Sequence, residues 1–200
     1  MNTENSTLTA RDRILARVRA NRPKTYEHPE VPVFAVTGDP VENFISHVEG
    51  FDGKVVRAGS RSEAVSWLKE NLVLSPSNKI LSAVEGYDGN VTADLIMKPA
   101  DAEQLNVCVG EGIIGIGETG SVLVAPESFG RMAGGLLAEH LYLLLDKNKI
   151  TDGLQDAYAQ MDLSKVQYSS LFSGPSATAD IEAVHITGAQ GPVSLTVLLY

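Results

Sequence analysis

The sequence predicts an α/β domain, a mainly parallel sheet flanked by helices, with an N-terminal helix and an extended arm in front of it. Three observations carry that expectation. Strand-like and helix-like segments alternate between residues 41 and 109 at the spacing of βαβ units. Hydrophobic residues make up 44% and charged residues 20% of the chain, the balance of a globular protein rather than of disorder or collagen. The third is size. For 200 residues and 21.4 kDa, size scaling gives about 31,000 Å² unfolded and about 9,000 Å² folded. Burial of about 70% supports a core without disulfide staples.

In chain order, Thr9 to Ala20 comes first, with Ile14, Leu15 and Val18 at helical spacing among four arginines. It reads as a short amphipathic helix that docks on a domain or partner; its apolar face lacks the aromatic residue of a membrane-surface helix. Asn21 to Pro40 holds four prolines and little periodicity, so residues 1–40 form a helix plus a Pro-rich arm. The α/β domain then spans 41–200. Val41 to Val48 reads as a helix, Lys54 to Ala58 as a strand, and Ser60 to Leu72 as a helix opened by its serine. Lys79 to Val84, Ala93 to Met97 and Asn106 to Val109 are further short apolar pieces. In the second half, Gly112 to Ala125 reads as two strands around a turn, Arg131 to Glu139 as a helix, and His140 to Leu145 as a buried strand. Thr151 to Met161 reads as a helix, Leu171-Phe172 as the lead into a turn, and Val193 to Leu199 as the last strand.

Composition excludes several functions. Sixteen Lys plus Arg against 25 Asp plus Glu give a net charge of −9, which argues against nonspecific nucleic-acid binding. A small anion can still be held by backbone N–H groups. Cys108 is the single cysteine, so the chain can form neither an internal disulfide nor a cluster on four of its own thiolates. Four histidines without i, i+4 pairing leave no zinc motif, and no metal ligand set is expected. The polar start, Met1 to Ala10, lacks the apolar segment of a signal peptide, and Leu141 to Leu145 is too short to cross a bilayer. A cytoplasmic protein without a membrane span is expected.

Gly110 to Gly115 matches G-x-G-x-x-G literally. A dinucleotide site needs a helix to start there, and Ile116-Gly117-Glu118-Thr119-Gly120-Ser121 is glycine-rich and β-branched instead. The match is therefore read as false. Gly117-Glu118-Thr119-Gly120 is open to two readings: a turn with a solvated Glu118, or a carboxylate held at a cleft as acid, base or nucleophile. Ser173-Gly174-Pro175-Ser176-Ala177-Thr178-Ala179-Asp180-Ile181-Glu182 is either an ordered turn or an anion- or substrate-binding loop, and its small hydroxyl residues favour the loop. His140 enters an apolar strand, where a satisfied core histidine outweighs a catalytic one.

These segments together resemble the LUD-domain family, in particular its lactate-utilisation protein C type. The likeness rests on Glu118-Thr119-Gly120-Ser121, on Arg131 with His140-Leu141, and above all on Ser173 to Glu182. Gly191-Pro192 before Leu195-Thr196-Val197, and Arg13 to Val18, extend it along the chain. Departures occur at Gln190, where the family turn usually has His, at Val193, usually basic, and near Ala138, where a proline is common. The resemblance implies a Rossmann-like sheet of the NagB/RpiA/CoA-transferase kind with a ligand cleft at strand ends. It also implies a role in oxidising L-lactate to pyruvate beside iron–sulfur partner proteins that carry the clusters. As a non-redox subunit, the chain would hold a small carboxylate or phosphate ligand, or a partner, through Thr119, Gly120, Ser173, Gly174, Ser176 and Thr178. Asp180 and Glu182 would orient those donors, Glu118 would face the cleft, and Arg131 and His140 are further candidates. The alternative is a free-standing CoA-transferase-like or folate cyclo-ligase-like enzyme using Glu118 as its reactive carboxylate or as a general acid–base group. Whether catalysis occurs on this chain stays open.

Overall fold

The computed structural model describes residues 9–23, 26–27, 29–32, 34–72, 75, 77–96, 98–162, 168–179, 182 and 184–200. The polar start up to residue 8, Met97, Asp180 and Ile181 thus lie outside the described residues. The chain forms two compact units, Met1–Val33 and Phe34–Tyr200. In the first, helix α1 (Ala10–Ala20) starts where Thr9 accepts the Asp12 N–H and buries none of its side chains within the structure.

The second unit is built on five parallel strands. They are β1 (Lys54–Arg57), β2 (Ile80–Ser82), β3 (Val107–Glu111), β6 (His140–Leu145) and β11 (Ser194–Leu199), in the spatial order β1-β11-β6-β3-β2. Both faces of this sheet are covered, so β6 and β11 read as nearly unbroken apolar runs rather than alternating ones. Leu141, Leu143 and Leu145 pack on one face with Leu195, Val197 and Leu199, while Leu144 and Leu198 pack on the other.

Helix α3 (Arg61–Asn71), capped by Ser60, lays Ala64, Val65 and Leu68 on the second face. It carries the chain from β1 at one edge to β2 at the other. From β2 the strands step back across the sheet. A right-handed crossover in the reverse direction places its connections on the opposite face. There lie α4 (Pro99–Ala102) and α5 (Met132–Leu137), together with α2 (Pro40–Gly50), which precedes β1. Asp39 caps α2 by accepting the Val41 and Glu42 N–H groups, and Pro40 sits in its first turn, where a missing N–H costs nothing.

A second sheet covers part of that face. The hairpin β4 (Ile114–Ile116) and β5 (Ser121–Val124) is flanked by β7 (Ile150–Thr151) and β8 (Ser170–Phe172), in the order β7-β4-β5-β8. Helix α6 (Leu154–Gln160) packs on it through Ala157. An antiparallel ribbon, β9 (Ala177–Thr178) with β10 (Ile186–Thr187), completes the elements. The sheet class expected from the sequence is thus present, with local corrections. Leu171-Phe172 belongs to a strand, Ala93–Leu95 is a 3-10 turn, and Thr151 ends a strand before α6 begins at Leu154. No helix among the described residues is long and apolar enough to cross a membrane.

Phe129 is fully buried where these layers meet. A Cβ on Gly110 of β3 would stand 2.5 Å from its ring, and one on Gly135 of α5 would stand 2.4 Å from it. The glycines of the false nucleotide motif therefore serve packing. Gly110 makes a slot for an aromatic ring, and β4, not a helix, follows.

Replacing Phe129 with Ala is expected to cost about 3–5 kcal/mol in urea unfolding, because the slot cannot collapse onto glycines. Gly135→Ala is expected to cost about 1–3 kcal/mol by overpacking against the same ring. Burial also pushes the Cys108 thiol far above its usual range. Its contribution to stability should be complete below pH of about 8.5 and decline above it, since the unfolded chain then loses the proton first. Thiol labelling should accordingly track global unfolding.

Candidate functional site

Two of the segments singled out in the sequence, Ser173 to Ala177 and Gly191-Pro192, meet at the amino-terminal end of the parallel sheet. A cleft of about 410 Å³ opens there. One side is Gly50-Phe51-Asp52, just before β1, and another is Gln190-Gly191-Pro192, just before β11. Ser173 to Ala177, leaving the end of β8, forms the floor, with Leu136 of α5 and with His185 and Thr187 at the ribbon. Ligands of open α/β sheets usually lie outside the carboxyl ends of the strands. Here that end carries a charge pair: Arg61 donates to the Glu111 carboxylate and, at 3.1 Å, to the Glu85 carbonyl.

Local sequence explains how the floor is held. Gly174 passes so close to the end of α2 that a Cβ would lie 2.6 Å from the Phe51 carbonyl oxygen. The Ser176 N–H donates to the Pro192 carbonyl at 2.8 Å, and the Gly188 N–H donates to the Ser176 carbonyl at 2.7 Å. Those two bonds fasten the loop to the turn before β11. The remaining support is a file of hydroxyls. Thr119 Oγ1 and Ser121 Oγ are 2.7 Å apart, and Ser121 Oγ and Ser173 Oγ are again 2.7 Å apart. Ser121 is 3% exposed, so its hydroxyl needs both partners. The turn that carries the file is pinned on α2. Gly120 has φ +62°, with its Cα side facing the His47–Val48 backbone, and His47 Nδ1–H donates to the Gly117 carbonyl at 2.9 Å.

Of the residues expected from the sequence, Ser173, Gly174 and Ser176 line the cleft, and Thr119 and Gly120 stand behind it through the hydroxyl file and the turn. Thr178 lies in the ribbon and Glu182 is exposed in a left-handed conformation, φ +55°. Asp180 is outside the described residues. Glu118 is exposed and not among the cleft-lining residues; its Oε2 accepts the Leu154 N–H at 2.9 Å, at the start of α6. Arg131 stands at the start of α5. His140 opens β6, its Nδ1 2.8 Å from Ser194 Oγ and its Nε2 3.8 Å from Glu139. Sequence reasoning passed over Phe51, His185 and Thr187 as cleft residues. Nothing local marks them, since they come from a helix end and a two-residue strand far apart in the chain. Gln190 was visible as a departure from the family turn.

The side chains of Ser176, His185, Thr187 and Gln190 carry no hydrogen bond among the described residues, and are free to meet a ligand. Among the described residues no group of three or more His, Cys, Asp and Glu stands placed to hold a metal ion.

A family model described as LUD domain matches residues 99–200. A solved structure titled as a DUF162 family protein from Deinococcus radiodurans is 13% identical. It superposes with a TM-score of 0.59, over 80% of this chain and 95% of that one, which shows a shared fold. No curated protein matches the chain.

Ser121→Ala leaves two hydroxyls without their partner and is expected to lower stability by about 1–3 kcal/mol. Glu118→Ala removes a helix cap and should cost about 0.5–2 kcal/mol while leaving hydrogen exchange at Ser173–Ala177 unchanged. Urea titration with exchange mass spectrometry checks both.

Proposed function

The chain belongs to the LUD domain family, and from that premise we propose that it is a non-redox component of a lactate-utilisation system oxidising L-lactate to pyruvate. In this reading iron–sulfur proteins are its partners and carry the electrons, and this chain contributes the cleft at the amino end of its sheet. The observation that carries the reading is the convergence of three family segments on one place. The turn at Thr119–Ser121, the loop Ser173–Ala177 and the turn Gln190–Pro192 are joined by the hydroxyl file and two backbone bonds.

The chain's own thiol is a poor cluster ligand. Cys108 is buried in the core with a raised pKa, and a buried thiol of that kind neither ligates nor reacts readily. In this reading the iron–sulfur ligands come from the partner proteins. The alternative, a free-standing CoA-transferase-like or folate cyclo-ligase-like enzyme, would use Glu118 as its reactive carboxylate or acid–base group. Glu118 is exposed and engaged as a helix cap, which favours the component over the enzyme.

Deleting this chain from its host is expected to abolish growth on L-lactate and to spare growth on pyruvate. Tagged chain from lactate-grown cells should bring down iron- and sulfide-containing proteins. Undiminished lactate oxidation in the deletion strain would reject the proposal.

A further inference from the structure

The cleft is the wrong size and the wrong charge for the ligands first expected of it. A volume of about 410 Å³ lies in the range of sites for drug-sized molecules. At about 30 Å³ per water it holds roughly fourteen waters. Lactate, a three-carbon hydroxy acid, would leave most of it wet. Phosphates fare no better. Among the described residues that line the cleft there is neither Lys nor Arg; Asp52 contributes a carboxylate and His185 the one ionisable base. The chain as a whole carries −9. A di- or triphosphate held there would face an anion without the cationic clamps that such groups ordinarily recruit.

What the lining does offer is a combination of apolar surface and neutral donors. Phe51, Leu136, Leu171, Phe172, Pro175 and Pro192 supply the apolar part. Ser176, Thr187 and Gln190, together with His185, supply hydrogen-bonding groups that are unengaged among the described residues. Apolar walls with a few convergent polar groups suit ring compounds that carry acceptor oxygens.

We infer that the cleft binds an uncharged or singly charged mono- or bicyclic molecule carrying carbonyl or hydroxyl oxygens, the chemical class of a quinone. The ring system packs on the Phe51 and Phe172 side, and its oxygens accept from Ser176, Gln190 or Thr187. The inference rests on the cleft being the working site, as proposed above, but concerns only what fills it. The class suits that setting. Lactate becomes pyruvate by losing two electrons and two protons, and a quinone that gains both becomes the hydroquinone.

The test uses the purified full chain and menadione, a neutral bicyclic diketone, with lactate, inorganic phosphate and ATP as the other arms. Menadione at a hundredfold excess over its Kd is expected to raise Tm by roughly 5–10 °C, and the other three to leave it unchanged. Ser176→Ala and Gln190→Ala should keep the ligand-free Tm and weaken menadione binding about tenfold each, since neither side chain is engaged without ligand. Ser176→Phe should fill the cleft and abolish binding. No shift with menadione, a shift with ATP or phosphate instead, or menadione binding that survives Ser176→Phe would each overturn the inference. These readings are made on the isolated chain, so their failure leaves the growth and co-purification tests of the lactate role standing.

Discussion

The structure depends first on the placement of one ring. Phe129 sits in a slot that exists only because Gly110 on β3 and Gly135 on α5 have no side chains. Its edge meets Phe172 of β8, with ring centroids 6.4 Å apart and planes at 75°. A single buried Phe is worth about 1.5–3 kcal/mol, and an edge-on aromatic contact adds about 0.5–1.5 kcal/mol. More important than the energy is what the contact joins. It ties the parallel sheet and α5 to the second sheet, and β8 delivers the chain directly into Ser173 and the cleft floor.

Around that anchor, polar contacts do the fine positioning. The hydroxyl file from Thr119 to Ser173 connects a turn held against α2 with the loop that lines the cleft. A buried hydroxyl with partners on both sides resists any movement that breaks either bond, so the floor is set by packing on one side and hydrogen bonding on the other. Charge is distributed in the opposite way. Arg61 and Glu111 pair at the carboxyl end of the sheet, while the cleft at the amino end is lined without Lys or Arg among the described residues. An acidic protein whose cleft offers a carboxylate and, among the described lining residues, neither Lys nor Arg is poorly suited to polyanions. That feature separates this site from the nucleotide sites of sheets with similar topology.

Much of the fold was legible because its signals are local. β6 and β11 are buried on both faces, so Leu141–Leu145 and Leu195–Leu199 announce themselves as apolar runs. Ser60 marks a helix start through a cap that needs only the next three residues. β7, β9 and β10 escaped because two residues carry no periodicity, and pairing with a distant strand alone makes them strands. The site was half legible. Small hydroxyl residues and glycines identified Ser173–Ser176 as a loop built for close approach, yet nothing local could show that it meets Phe51 and Gln190. Glu118 is the converse case. A carboxylate between glycines suggested chemistry, but its partner is the backbone of Leu154, 36 residues further on.

The central claim is that the protein works through the cleft at the amino end of its parallel sheet. Hydrogen exchange, compared between the chain alone and the assembly captured from lactate-grown cells, addresses it most directly. The account predicts slowed exchange at Ser173–Ala177 and at Gln190 to Gly191, with little change around Arg61, Glu85 and Glu111. Protection confined to that carboxyl-end cluster, with the cleft segments exchanging as they do in the free chain, would contradict it.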